Sequence, residues 1–347
     1  MKIIGFEPLL DSIDEAYVNY FKKSRKYKLV LFNKPRWKEK KSFKIIHMII
    51  FMIKTFFSLV RKKYDLVHIN GANFGIIVYL ASFFGCKYVY TIHGAPHIDL
   101  EKKEGRQKAI CAYIHNILMP IVVSRAEQVY TISKFSQKEL WNKYKIKTTV
   151  IYNGINRESL KYTEEHNEII DRIKSNLIGK KVFIFVGRMI DCKNPLRIID
   201  IIEQIKKKDE EIFLIMIGSG VLLNTVKKYA NEKKLRNNIL FIENVKFEDM
   251  PKWYSVSDYF ISACDKEGFG LAALEAISCG CIPILPKSGA FRELYNEKFL
   301  YDIDKINNIT LPIRNSEDDK FFTNLLIKLD WNNIIKIYEN EYDKYIN

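Results

Sequence analysis

Short runs of β-branched and aromatic residues recur along this chain, each followed by a longer stretch with helical spacing. That alternation restricts the fold to parallel sheets covered by helices on both faces. In the front half the predicted strands are Lys2–Phe6, Lys28–Phe32, Asp65–Asn70, Lys87–Ile92, Gln128–Ile132 and Thr149–Tyr152. The scheme resumes with Lys181–Val186, Ile212–Ile217, Asn238–Ile242, Asp258–Ser262 and Cys281–Leu285. The expected fold class is therefore α/β, with two Rossmann-like, doubly wound units, and 347 residues suffice for two units of ordinary size. With 48% apolar and 28% charged residues the chain can bury a core in each, and it is neither disordered nor collagen-like. The halves share no sequence repeat. The polar stretch Asn153–Lys174 marks the boundary, giving a first domain over 1–154 and a second over 155–330. Trp331, Ile334, Ile335, Ile337, Tyr338, Tyr342 and Tyr345 follow at helical intervals, predicting a closing helix over 331–347.

The formal charge of +15 is unevenly placed: residues 1–154 hold 27 Lys and Arg against 11 Asp and Glu, and the remainder holds 29 against 30. A front half so basic suits an anionic partner, such as lipid headgroups, nucleic acid or a phosphorylated substrate, although a generally lysine-rich composition would give the same count. The N-terminal run Met1–Phe6 has no cleavage site and reads as a strand rather than a signal peptide. Ile45–Val60 is apolar over sixteen residues but contains His47 and Lys54, and it is shorter than the roughly 20 residues of a spanning helix. Lys34, Arg36, Lys38, Lys40, Lys41 and Lys44 precede it, Arg61, Lys62 and Lys63 follow, and Trp37 and Phe43 are interleaved. Such a helix fits a headgroup layer or, equally, a place against a sheet with solvated ends. Cys86, Cys111, Cys192, Cys264, Cys279 and Cys281 form no CxxC pair and read as reduced thiols, with Cys279 and Cys281 in the core.

Ligands of open α/β sheets gather at the carboxyl ends of strands. After Lys181–Val186 comes Gly187-Arg188, then Lys193-Asn194-Pro195. Asn194 suits an N-cap and Pro195 a first helical position, so two cations and a helix N-terminus converge as in a diphosphate site, and Gly187 permits close approach. Two solvated cations on a surface loop would look the same from sequence. The next exit carries Gly218-Ser219-Gly220, a weak signal without the GxGxxG register. Most informative is Glu267-Gly268-Phe269-Gly270-Leu271, which opens a small-residue helix containing one carboxylate, Glu275, and closing at Gly280. A carboxylate in that setting needs hydrogen-bond donors, and vicinal ribose hydroxyls are suitable. In the first half, His93 lies at a strand exit. His97 and Asp99 have no third partner for a metal, and Asp302-Ile303-Asp304 reads as surface.

Together, Gly187-Arg188, Lys193-Asn194, Gly218-Ser219-Gly220 and the E-x7-E run Glu267 to Glu275 resemble the donor half of the retaining glycosyltransferases of family 4. Asn153-Gly154-Ile155 is similar to their interdomain link, and Ser133-Lys134 to the start of the preceding helix. The resemblance implies the GT-B fold, with two domains facing a cleft, the donor on the second and the acceptor on the first, and with the C-terminal helix crossing back to the first domain. It implies that Arg188 and Lys193 hold the donor diphosphate and Glu275 the ribose. Glu267, with Gly268 and the Phe269, Gly270 and Leu271 backbone, would hold the transferred sugar, and His93 would touch the reaction centre. No metal or other cofactor is implied. The expected partners are a nucleotide-diphosphate sugar, UDP before GDP, and a glycan or lipid-linked acceptor reached at the inner face of a bacterial membrane through the basic first half, in a cytoplasmic, peripherally bound protein of surface-polysaccharide synthesis. The chain departs from the family's glycine-rich first turn with Phe6-Glu7-Pro8-Leu9-Leu10, and Asn244 replaces a common glycine. Two other functions compete. A nucleotide-sugar epimerase would share the diphosphate site, and a nucleic-acid-binding protein would use the charge but leave the glutamates unexplained.

Overall fold

The computed structural model describes residues 2–6, 18–19, 21, 26–32, 41–61, 64–70, 72–94, 117–160, 175, 177–208 and 211–346. The turn after the first strand, residues 33–40, Lys62 and Lys63, His97, Asp99, Cys111 and residues 161–174 lie outside them. In chain order the strands are β1 Ile3–Phe6, β2 Lys28–Leu31, β3 Leu66–Ile69, β4 Tyr88–Ile92, β5 Gln128–Thr131, β6 Thr149–Val150, β7 Lys181–Val186, β8 Ile212–Ile217, β9 Ile239–Ile242, β10 Tyr259–Ile261, β11 Ile282–Pro286 and β12 Leu300–Tyr301. The helices are α1 Lys41–Val60, α2 Ala72–Ser82, α3 over 117–123, α4 Lys134–Tyr144, α5 Pro195–Lys206, α6 Leu223–Glu232, α7 Met250–Ser255, α8 Leu271–Ser278, α9 Phe291–Leu294, α10 Ser316–Lys328 and α11 Trp331–Asp343. Each of the eleven predicted strands is present within a residue or two of its expected ends. The twelfth, β12, has only two residues and carries no readable pattern.

Contacts divide the chain into two compact units, 1–154 with 331–347, and 155–330. The first contains a wholly parallel sheet in the order β2-β1-β3-β4-β5-β6. β3 and β4 are buried at every position, as expected of strands covered on both faces. Ser133 caps α4, its hydroxyl accepting from the Ser136 amide at 3.0 Å. α11 belongs to this unit. Its Tyr342 hydroxyl bonds Nδ1 of the buried His68 on β3, and its Trp331 ring fills the space where a Cβ on Gly154 would stand, 2.2 Å away.

The second unit is also wholly parallel, in the order β12-β11-β10-β7-β8-β9. Chain order runs outward in both directions from the neighbours β7 and β10, so the gap between their carboxyl ends is a topological switch point, where such sheets bind ligands. Phe183 and Tyr259 stack at 5.1 Å across those two strands. α5 packs its buried isoleucines 198, 199, 201, 202 and 205 into the same core.

Candidate active site

The two segments that leave this switch point carry the charged residues. After β7 the chain is held to the loop after β8: the Gly187 amide donates to Ile217 O at 3.0 Å and the Met189 amide to Ser219 O at 2.8 Å. Gly218, with φ +138°, lies so close that a Cβ there would stand 2.0 Å from Gly187 O. The packing of one loop on the other is thus enough to demand glycine at 218. Gly187 itself has room, since a Cβ would make only an ordinary contact with Phe185 at 3.4 Å. Arg188 is exposed. α5 begins at Pro195 as expected, but Asn194 is left-handed, with φ 53°, and its side chain makes no capping bond. Asparagine tolerates that conformation; the cap expected of it is not formed.

Lys193 and Glu267 meet. Lys193 Nζ lies 2.6 Å from Glu267 Oε2, with side chains 27% and 15% exposed. Burial alone would depress the lysine, but the Glu267 charge holds its ammonium above the ordinary value. Burial likewise pushes the Glu267 carboxyl up, and Lys193, the Cys264 thiol and the Phe269 amide bring it below the usual range. The Phe269 amide expected for a ligand is therefore engaged by Glu267, and the Phe269 ring is in the core. Gly268 is half-buried between them. Gly270 is the left-handed N-cap of α8, closely backed by Phe291, and Leu271 opens the helix. The main chain of Glu267 is pinned from the turn after β11, where the Ala290 amide donates to Glu267 O at 2.9 Å and a Cβ on Gly289 would stand 2.7 Å from its N and O. Ser288-Gly289 is one more glycine turn after a strand, readable by the rule that found the others. The buried Tyr295 hydroxyl, close enough to feel the Glu267 charge, has no hydrogen-bond partner among the described residues.

α8 carries Glu275 and ends in two interlocked bonds, Gly280 N to Ile277 O and Cys281 N to Ala276 O, both 3.0 Å. Glu275 accepts a 2.9 Å hydrogen bond from the Tyr254 hydroxyl of α7. Burial pushes the Glu275 carboxyl above its ordinary range, and Tyr254 draws it partly back. Tyr254 was not singled out by sequence, where it looks like any core aromatic of a short helix.

His93 stands in the first unit, after β4, with Nε2 3.3 Å from Asn70 Oδ1. Burial lowers its pKa to about 4, so the imidazole is neutral at neutral pH. His68, whose Nε2 is 2.7 Å from Thr91 Oγ1, is lowered to about 3 by burial and by His93. The structure thus assembles Lys193, Glu267 and the Gly270 cap in one place, with Glu275 on the helix they precede. Asp302 and Asp304 are exposed. Among the described residues no group of three or more His, Cys, Asp or Glu is arranged to hold a metal ion.

The family model described as Glycosyltransferase Family 4 matches residues 20–159, and that described as Glycosyl transferases group 1 matches residues 167–311. The chain is 27% identical over 317 residues to the UDP-Gal:alpha-D-GlcNAc-diphosphoundecaprenol alpha-1,3-galactosyltransferase of Escherichia coli, covering 85% of this chain and 78% of that one. It is 23% identical over 231 residues to the uncharacterized glycosyltransferase YqgM of Bacillus subtilis, covering 66% and 60%. Matches to other relatives span 51%, 38% and 34% of their length, so this chain is aligned with only part of several of them. The fold is that of Anabaena HepE, solved in complex with UDP, with a TM-score of 0.70 at 17% identity over 99% of this chain and 100% of that one. With both halves matched and two parallel sheets in place, the chain belongs to the family 4 glycosyltransferases and has the GT-B fold.

Proposed function

We propose that the protein transfers a hexosyl unit, with retention, from a nucleotide-diphosphate sugar to a glycan or lipid-linked acceptor. The observation that carries this reading is the Lys193–Glu267 pair at the switch point of the second unit, directly before the helix that bears Glu275. Lys193, Arg188 and the start of α5 would neutralise the departing diphosphate, and removing one such group lowers rates by roughly 10²–10³. Glu275 would accept from the ribose diol and Glu267 from the hydroxyls of the transferred sugar. The bond from C1 to the phosphate oxygen breaks while the acceptor oxygen bonds C1 on the same face, and the acceptor proton passes to the leaving phosphate. Charge neutralisation by the chain's own cations leaves no step that needs a metal. A neutral His93 fits a hydrogen-bonding role at the sugar rather than a cationic one.

UDP is the favoured nucleotide and GDP the alternative; the UDP-Gal named as donor of the E. coli relative and the UDP held in the HepE complex support UDP. The basic first unit supports a lipid-diphosphate acceptor at the inner face of a bacterial membrane, and so a place in cell-surface polysaccharide synthesis. Purified protein tested against UDP-, GDP- and ADP-sugars, with a membrane extract as acceptor, should release one nucleotide. Release must depend on the extract and vanish in Glu275→Ala. Turnover without acceptor, yielding an isomerised donor, would instead identify an epimerase.

A further inference from the structure

The first unit leaves an apolar face open to solvent. α1 sets Thr55 and Leu59 into the core, while Ile50, Ile53 and Phe57, three and four residues apart and so along one side of the helix, are 42%, 51% and 53% exposed. The face continues beyond α1. Phe56 meets Phe84 at 5.8 Å, where Phe83 and Phe84 stand exposed at the end of α2. Gly75 of α2 is pressed against Val122 of α3, and on α3 Ile121 is exposed again. Single exposed apolar side chains are ordinary, whereas a run of them over three neighbouring helices marks a binding surface.

Charge identifies the occupant. Residues 34–63 hold ten Lys and Arg against the single acid Glu39. Lys54 and Arg61 are exposed on and just after α1, and the Arg125 guanidinium lies over the Phe83 ring at 4.2 Å. An apolar face set among cations matches a bilayer with anionic headgroups, where rings enter the acyl boundary and cations meet phosphates. A second copy would bring the same positive charge to the contact and be repelled. Among the described residues no helix is long and apolar enough to cross a membrane, so the contact is one of lying on the surface.

We propose that the α1–α2–α3 face docks the protein on an anionic lipid bilayer, an inference that rests on the transferase reading for its use, delivery of the site to a membrane-held acceptor. The test is sedimentation of the full chain with vesicles of phosphatidylcholine alone or mixed in equal parts with phosphatidylglycerol. The protein should pellet with the mixed vesicles only, less so as salt rises, and Ile53→Glu with Phe57→Glu should weaken association at least roughly tenfold. Phe83→Ser with Phe84→Ser provides a second variant should the first fail to fold, and Ile313→Glu, at an exposed position of the other unit, should change nothing. No pelleting, equal pelleting with neutral vesicles, or pelleting unaffected by either pair overturns the proposal. So does a dimer in ultracentrifugation that the variants dissociate. Thermal stabilisation by UDP, read on the same samples, separates the two ideas. UDP binding without vesicle binding defeats the docking face alone, and vesicle binding without response to any nucleotide defeats the transferase reading alone.

Discussion

The Tyr254 hydroxyl donates to Glu275 Oε2 at 2.9 Å, joining α7 to the helix that opens at the switch point. Because burial pushes this carboxyl above its ordinary range and Tyr254 opposes the shift, the tyrosine favours the ionised form of Glu275 and orients it. Tyr254→Phe should therefore weaken UDP binding about tenfold, in line with about 1.5 kcal/mol for a hydrogen bond to a charged group, and leave kcat little changed. Isothermal titration with UDP and a KM-against-kcat comparison check it; an unchanged Kd would make Tyr254 a packing residue only.

Glu275 also bears on stability. Its folded pKa lies above the unfolded value, so the folded chain binds the proton more tightly. Its contribution is fully present below the unfolded pKa, near 4.3 for an ordinary Glu, and is lost as pH rises through the folded one. Glu275→Gln should consequently raise Tm at neutral pH while weakening UDP binding, and the gain should shrink toward acid. A Tm lowered at neutral pH would show that the charge is stabilising where it sits.

Lys193 and Glu267 are a mostly buried pair, and removing one partner strands the other. Lys193→Met or Glu267→Gln alone should cost about 2–3 kcal/mol, below the 3–5 kcal/mol of fully buried pairs because both side chains keep some solvent contact. The double variant should lose less than the sum. Denaturant titration of the three variants decides it, additive losses arguing against the pair. Each single change should also lower kcat by roughly 10²–10³ if the pair surrounds the reacting sugar diphosphate.

Legibility followed range. Strands could be read because fully buried parallel strands are continuous apolar runs, and the charged loops because open α/β sheets bind ligands at strand exits, which directs attention to the glycines and cations there. β12, with two residues, has no period to read. Glu275 could be recognised as needing a donor, but that the donor is Tyr254, 21 residues earlier on another helix, depends on packing. The link from Tyr342 to His68 spans 274 residues and has no local signal. The glycine pair Gly218-Ser219-Gly220 is visible in the sequence, but the demand of the Gly187 carbonyl for a glycine at 218 comes from a loop 31 residues earlier and has no local signal.

That distinction between glycines is testable. A Cβ at Gly218 would stand 2.0 Å from a carbonyl oxygen, at a φ of +138° that L side chains rarely adopt, whereas one at Gly187 makes only ordinary contact. Gly218→Ala should cost more than about 2 kcal/mol through clash and backbone strain, and Gly187→Ala within about 0.5 kcal/mol. If Gly187 faces the diphosphate, its alanine variant should still lose UDP affinity. Equal Tm values for the two variants would refute the steric account.

His68 predicts how the first unit responds to acid. It is buried between Tyr342 of α11 and Thr91 of β4, with the Tyr130 and Tyr338 rings and His93 around it, and its pKa falls from 6.5 to about 3. A depressed folded pKa means the folded state favours the neutral ring. Its contribution is complete above the unfolded value of 6.5 and drains away as pH falls toward the folded one. At about pH 5 the loss from His68 alone is about 2 kcal/mol, and His93, lowered to about 4, adds in the same direction. His68→Gln, which keeps a donor and an acceptor but cannot take up a proton, should lower stability at neutral pH yet flatten the acid slope to the part His93 supplies. Melting curves between about pH 7.5 and 5 measure that slope. Because α11 is tied to the sheet through this ring, protonation should release the C-terminal helix first, seen as accelerated amide exchange over 331–343 ahead of β3 and β4. An acid slope identical in wild type and His68→Gln would assign the sensitivity to other groups.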